Sequence, residues 1–95
     1  MNKLRNENTD LLFESILTLK DLDECYAFFE DICTVKEIQS IAQRVMVAKM
    51  LTEGKVYSDI VAQTGGSTAT ISRVNRSLNY GNDGYTVVFD RLKNK

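Results

Sequence analysis

Apolar positions recur at helical spacing through nearly the whole chain. Between residues 9 and 20, Leu12, Ile16 and Leu19 repeat with Phe13 and Leu17 beside them, which predicts a first amphipathic helix. Asp21 can cap a second, with Glu24 three residues on, and Leu22, Cys25, Tyr26, Phe29, Ile32 and Cys33 then line one face. The third start is written more plainly. In "TVKE" the Thr34 hydroxyl can accept from the Glu37 N–H while the Glu37 carboxylate returns to the Thr34 N–H, a capping box opening a helix that ends near Gly54. Val35, Ile38, Ile41, Val45, Ala48 and Leu51 make one stripe along it, yet Val47 and Met50 spread beyond the stripe and Met46 widens it further. A helix apolar on most sides needs partners on most sides, so the pattern predicts a subunit interface that includes Val45, Met46 and Met50.

After Gly54 the pattern shortens into two brief helices with a turn between them. Residues 58 to 63 carry Ile60 and Val61, "TGG" breaks the period, and Ser67 caps a segment at 68 to 79 whose inner face is Ala69, Ile71, Val74 and Leu78. In "DIVAQTGGSTATISR" an apolar residue stands four before a turn glycine, followed by a hydroxyl cap and a second helix: a helix-turn-helix. Val61 occupies a position where such motifs usually hold alanine, which predicts a slightly wider crossing. "NYGNDGY" is a turn cluster, and Val87, Val88, Phe89 and Leu92 predict a last short helix from about Tyr85 to Lys93. The fold expected is all-α, about six helices in one domain. Residues 1–54 form its dimerisation part, 55–79 the helix-turn-helix, and 80–95 a turn and terminal helix.

Composition narrows what such a fold does. A chain of 95 residues buries little more than ~60% of its unfolded surface, and association would help it. No apolar run is long enough for a membrane span and no leader is evident, so a cytoplasmic protein is expected, with Cys25 and Cys33 as reduced packing residues. The net charge of −1 hides an asymmetry: residues 1 to 40 hold nine acids against four bases, while residues 41 to 95 hold eight bases against four acids. The basic half can face phosphate. Histidine is absent, no phosphate loop follows Gly65 and Gly66, and the cysteines are eight apart, so the sequence supports neither a catalytic triad, nor a common zinc set, nor an enzyme of either kind.

With Ile71, Val74 and Leu78 turned inward, the segment at 67 to 79 presents hydroxyl, amide and guanidinium groups outward. Ser67, Thr68, Thr70, Ser72, Arg73 and Arg76 are the expected DNA contacts, with Asn75 toward the rim. Hydroxyls and a positive helix end suit phosphate, and an arginine can grip the two acceptors of guanine. The rival reading is a helical protein-interaction dimer that binds no DNA, favoured by the slightly acidic total charge.

Residues 32 to 78, "ICTVKEIQSIAQRVMVAKMLTEGKVYSDIVAQTGGSTATISRVNRSL", resemble the Trp repressor family, most specifically in "QRV" at 43 to 45 and "ATISR" at 69 to 73. The fuller pattern, ending in "SLNYGNDGY", resembles its YerC/YecD branch. The resemblance implies an intertwined homodimer that acts as a transcriptional repressor on double-stranded DNA, reading a two-fold operator with half-sites about one DNA turn apart. It also implies an effector site, in which L-tryptophan lies between two arginines matching Arg44 and Arg73, with Thr34 and Ser77 as polar contacts. The chain departs from that pattern. Val74 stands where tryptophan-binding members have glycine, Asp31 and Cys33 stand where apolar residues usually flank the ligand, and a branched side chain should crowd an indole. The expectation is no resident cofactor or metal. Any co-repressor would be an amino acid or other small anionic metabolite rather than tryptophan, or there is no effector at all.

Overall fold

A computed structural model describes residues 3–95, so the first two positions of the N-terminal part lie outside it. Six helices and no strand occur among the described residues: α1 (Glu7–Ile16), α2 (Leu22–Ile32), α3 (Val35–Thr52), α4 (Tyr57–Thr64), α5 (Thr68–Tyr80) and α6 (Gly84–Lys93). The chain divides into two compact units, Met1–Ile38 and Gln39–Lys95, with the division falling within α3.

Local chemistry sets the helix starts. Asn6 accepts from the Thr9 N–H at 3.0 Å and its own N–H donates to the Thr9 hydroxyl at 3.0 Å, so α1 begins two residues earlier than the apolar spacing suggests and ends at Ile16. Asp21 caps α2 through the Glu24 N–H at 2.8 Å, as expected, but the Glu24 carboxylate reaches back one residue further, to the Lys20 N–H at 2.9 Å. At α3 the capping box forms as read: the Glu37 N–H donates to the Thr34 hydroxyl at 3.1 Å, and the Thr34 N–H donates to the Glu37 carboxylate at 2.8 Å. At the other end Gly54 takes φ +79, and the Lys55 N–H bonds the Met50 carbonyl at 3.0 Å, a left-handed stop that a side chain at 54 would strain.

Hydrogen bonding from Thr34 to its carboxylate, chiefly from the backbone N–H and then from the hydroxyl, favours the charged form of Glu37 and lowers its carboxyl pKa below the ordinary 4.5. A group whose folded-state pKa is depressed adds stability that is present above the ordinary value and is lost as pH falls through the depressed one. The start of α3 should therefore loosen below about pH 4.5, whereas Glu37→Gln, which can still accept the Thr34 N–H, should remove that pH dependence. Amide exchange at Thr34 against pH is the measurement; an identical pH response in both proteins would contradict the assignment.

The second unit contains the core. Val47, Ala48 and Met50 from α3, Ile60 from α4, and Ile71 and Val74 from α5 are buried together, with Leu51, Leu78, Tyr85 and Phe89 packed against them. Tyr85 and Phe89 stack at 6.1 Å and bring α6 onto this cluster. One expectation is corrected here. Met50, expected at a subunit interface, is only 4% exposed within this core, because α4 to α6 pack on the Val47–Met50 side of α3. The expected stripe is split: Ala48 is buried in this core and Leu51 packs on it, whereas Val35, Ile41 and Val45 are exposed, and Met46 is 48% exposed. In the first unit neither α1 nor α2 has any buried residue, and Leu11, Phe13, Leu17, Leu22 and Tyr26 all stand largely open. Cys25 and Cys33 are half-buried free thiols.

Candidate nucleic-acid interface

The turn between α4 and α5 is held by a closed set of hydrogen bonds. Gly65 ends α4 at φ +73, where a side chain would be strained, and its N–H bonds the Val61 carbonyl at 2.9 Å. The Thr64 hydroxyl donates to the Ile60 carbonyl at 2.7 Å and accepts from the Gly66 N–H at 3.1 Å. The Gln43 side-chain amide then donates to the Thr64 carbonyl at 3.0 Å, which ties the turn to α3. Gly66 is buried, and a Cβ there would make a tight contact with the Thr64 hydroxyl at 3.3 Å and ordinary contacts with Gln43 and Val47 at 3.6 Å. Gln43 thus positions the turn, a role that no local sequence signal announces.

Ser67 caps α5 as expected. Its oxygen accepts from the Thr70 N–H at 3.1 Å and its hydroxyl donates to the Thr70 Oγ1 at 3.1 Å, so both expected contact residues already serve the first turn, and Thr70 is half-buried. Thr68, Ser72, Arg73 and Arg76 are exposed, and neither arginine has a hydrogen-bond or ion-pair partner among the described residues. No acid occupies the first turn of α5, so nothing offsets the partial positive charge of its free N–H groups. One assignment is corrected: Ala69, expected on the inner face with Ile71, Val74 and Leu78, is exposed. Ile71 is fully buried and Val74 only 2% exposed. With those two fixed inward at 100° per residue, Ala69 falls on the opposite side, beside Ser72, Arg73 and Arg76.

The residues matched to an effector site are otherwise engaged or exposed. Thr34 is spent on its capping box. Arg44 turns back along α3, its Nε donating to the Ser40 carbonyl and its terminal nitrogen to the Ser40 hydroxyl, both at 3.4 Å. Arg73 and Ser77 are exposed on α5, and the Ser77 carbonyl accepts the Gly81 N–H at 2.9 Å. Gly81 is needed there, since a Cβ at this position would run into that same carbonyl oxygen.

A helix-turn-helix stapled to a long preceding helix, with unpaired arginines on its second helix, defines a DNA-binding regulatory fold. The Trp repressor protein family model matches residues 7–93, and the chain belongs to this family of DNA-binding transcriptional regulators. It is 61% identical over 93 residues to the uncharacterised protein YerC of Bacillus subtilis (strain 168), a match covering 98% of this chain and 89% of that protein. The crystal structure of a TrpR-like protein from Eubacterium eligens ATCC 27750 superposes with a TM-score of 0.94 at 63% identity, covering 98% of this chain and 96% of the other. A Staphylococcus aureus protein solved as a candidate Trp repressor gives a TM-score of 0.92 at 56% identity, covering 96% and 91%. No helix among the described residues is long and apolar enough to cross a membrane.

Proposed function

We propose that the chain is a sequence-specific transcriptional repressor of the Trp repressor-like family that reads a two-fold operator as a cytoplasmic homodimer, with α5 in the major groove. The observation that carries this reading is the outward face of α5, where Arg73 and Arg76 stand exposed and unpaired on a helix anchored through Ile71 and Val74. Buried apolar contacts fix the helix axis, and the guanidinium groups are free to meet acceptors. The second half of the dimer supplies a matching head, and the operator is correspondingly palindromic. Dimerisation is supported by the apolar side chains that α1, α2 and the Val45–Met46 side of α3 leave uncovered in one protomer.

Arg76→Ala tests the reading. A base contact predicts a loss of ~1–3 kcal/mol at one operator position, and a phosphate contact predicts uniform weakening with a salt slope lower by about one. Duplex affinities across salt concentration and operator variants separate the two, and an unchanged Arg76→Ala removes Arg76 from the interface.

The effector reading is a small amino acid or anionic metabolite, or none, with L-tryptophan disfavoured. Val74, in place of the glycine of tryptophan-binding members, is committed to the core, and Arg44 is folded back on Ser40. Millimolar L-tryptophan is expected to leave the melting temperature unchanged. A ligand at one hundred times its Kd would stabilise the fold by ~2.7 kcal/mol per site, so a rise of several degrees that disappears in Arg44→Ala and Arg73→Ala would overturn this.

A further inference from the structure

Over its first turns, from Thr68 to Arg76, the outward face of α5 is polar except at one place. Thr68 and Ser72 carry hydroxyls and Arg73 and Arg76 carry guanidinium groups, but Ala69, one turn before Arg73 and two before Arg76, offers only a methyl. It is exposed, lies in the first turn of the helix, and has nothing above it among the described residues. Its small size matters as much as its chemistry. Where long side chains stand on either side, a Cβ with nothing beyond it lets the helix approach a surface closely at that point, and the side chain that meets the surface there is apolar. The major groove has one apolar group, the C5-methyl of thymine, and alanine is among the side chains that can cover it. The first turn of a recognition helix is the part that reaches base edges.

We infer that Ala69 is a specificity-determining residue whose methyl packs on the C5-methyl of one thymine in each half-site. The inference rests on the proposed DNA-reading role of α5. It adds to the arginines a contact that carries no charge, so it discriminates between bases without changing the dependence on salt.

The test uses the full chain and a duplex selected from a random-sequence pool by the wild-type protein. Each thymine of the selected duplex is replaced in turn by deoxyuridine, which deletes the methyl and keeps every hydrogen-bonding group. Wild-type protein should lose about fourfold in affinity at one thymine per half-site, the size expected for one buried methyl. Ala69→Gly should bind the thymine and deoxyuridine duplexes equally well. Any helix weakening from glycine is common to both duplexes and cancels in the comparison. Ala69→Ser, which keeps a Cβ but ends in a hydroxyl, should show the same indifference if the glycine variant is poorly folded. A selected duplex with no deoxyuridine-sensitive thymine, or one whose sensitivity persists in both variants, overturns the contact while leaving DNA binding intact. Failure to select any duplex overturns the DNA reading itself.

Discussion

Ile71→Ala is expected to lower the stability of the protein by about 2–5 kcal/mol, because it deletes a fully buried branched side chain and leaves a cavity that its neighbours only partly fill. The loss falls on a small core. Val47, Ala48, Met50, Ile60, Ile71 and Val74 are the buried apolar residues described, and Ile71 joins α5 to both α3 and α4 through them. The same change should weaken DNA binding, since it removes an anchor that sets the direction of Arg73 and Arg76. Ser72→Ala, one residue along and exposed, should stay within about 0.5 kcal/mol of wild type. Denaturant midpoints compare the two variants. Equal midpoints would contradict the inward placement of Ile71 and with it the outward face of α5.

Met46→Glu is expected to dissociate the proposed homodimer. Met46 is 48% exposed and Val45 is 42% exposed on the side of α3 that the protomer's own core leaves open, so a partner covering that side would have to bury the new carboxylate without a counter-charge. An unpaired buried charge costs several kcal/mol, which weakens the dimer by roughly a hundredfold or more. Met50→Ala should behave differently. Its side chain belongs to the core of one protomer, so the variant should be less stable but still dimeric. Sedimentation at micromolar concentration separates the outcomes, and wild-type melting should rise with protein concentration if the dimer is obligate. A compact, fully helical wild-type monomer would end the dimer proposal.

The features that could be read from the sequence were those decided within one turn of chain. Thr34 with Glu37, Asp21 with Glu24, and Ser67 ahead of α5 are caps whose partners sit three residues away, and all three form. Gly65, placed by the turn pattern, takes the left-handed conformation expected of it. What the spacing misplaced depends on contacts between distant segments. α3 carries more apolar residues than one face can hold, and its inward side is chosen by Ile60, Ile71 and Val74, which lie on other helices. Spacing alone therefore points Met50 outward, whereas the structure buries it. Ala69 failed for a related reason: a lone methyl is compatible with either side of an amphipathic helix, and only the burial of Ile71 and Val74 fixes the phase. Gln43 belongs to the matched "QRV", but its hydrogen bond to Thr64 spans 21 residues and leaves no local trace.

Salt dependence of binding to a nonspecific duplex tests the central claim most directly. A protein that lays Arg73, Arg76 and the free N-terminal end of α5 against phosphate releases counterions, so its affinity should fall linearly on a logarithmic scale as salt rises, with a slope of about −0.9 for each phosphate contact. Measured with the wild-type protein from low to physiological salt, the account predicts a slope that reflects several contacts from two heads and becomes shallower in Arg73→Ala. No measurable binding at the lowest salt, or binding whose strength does not change with salt, would contradict it and favour a helical dimer whose partners are proteins.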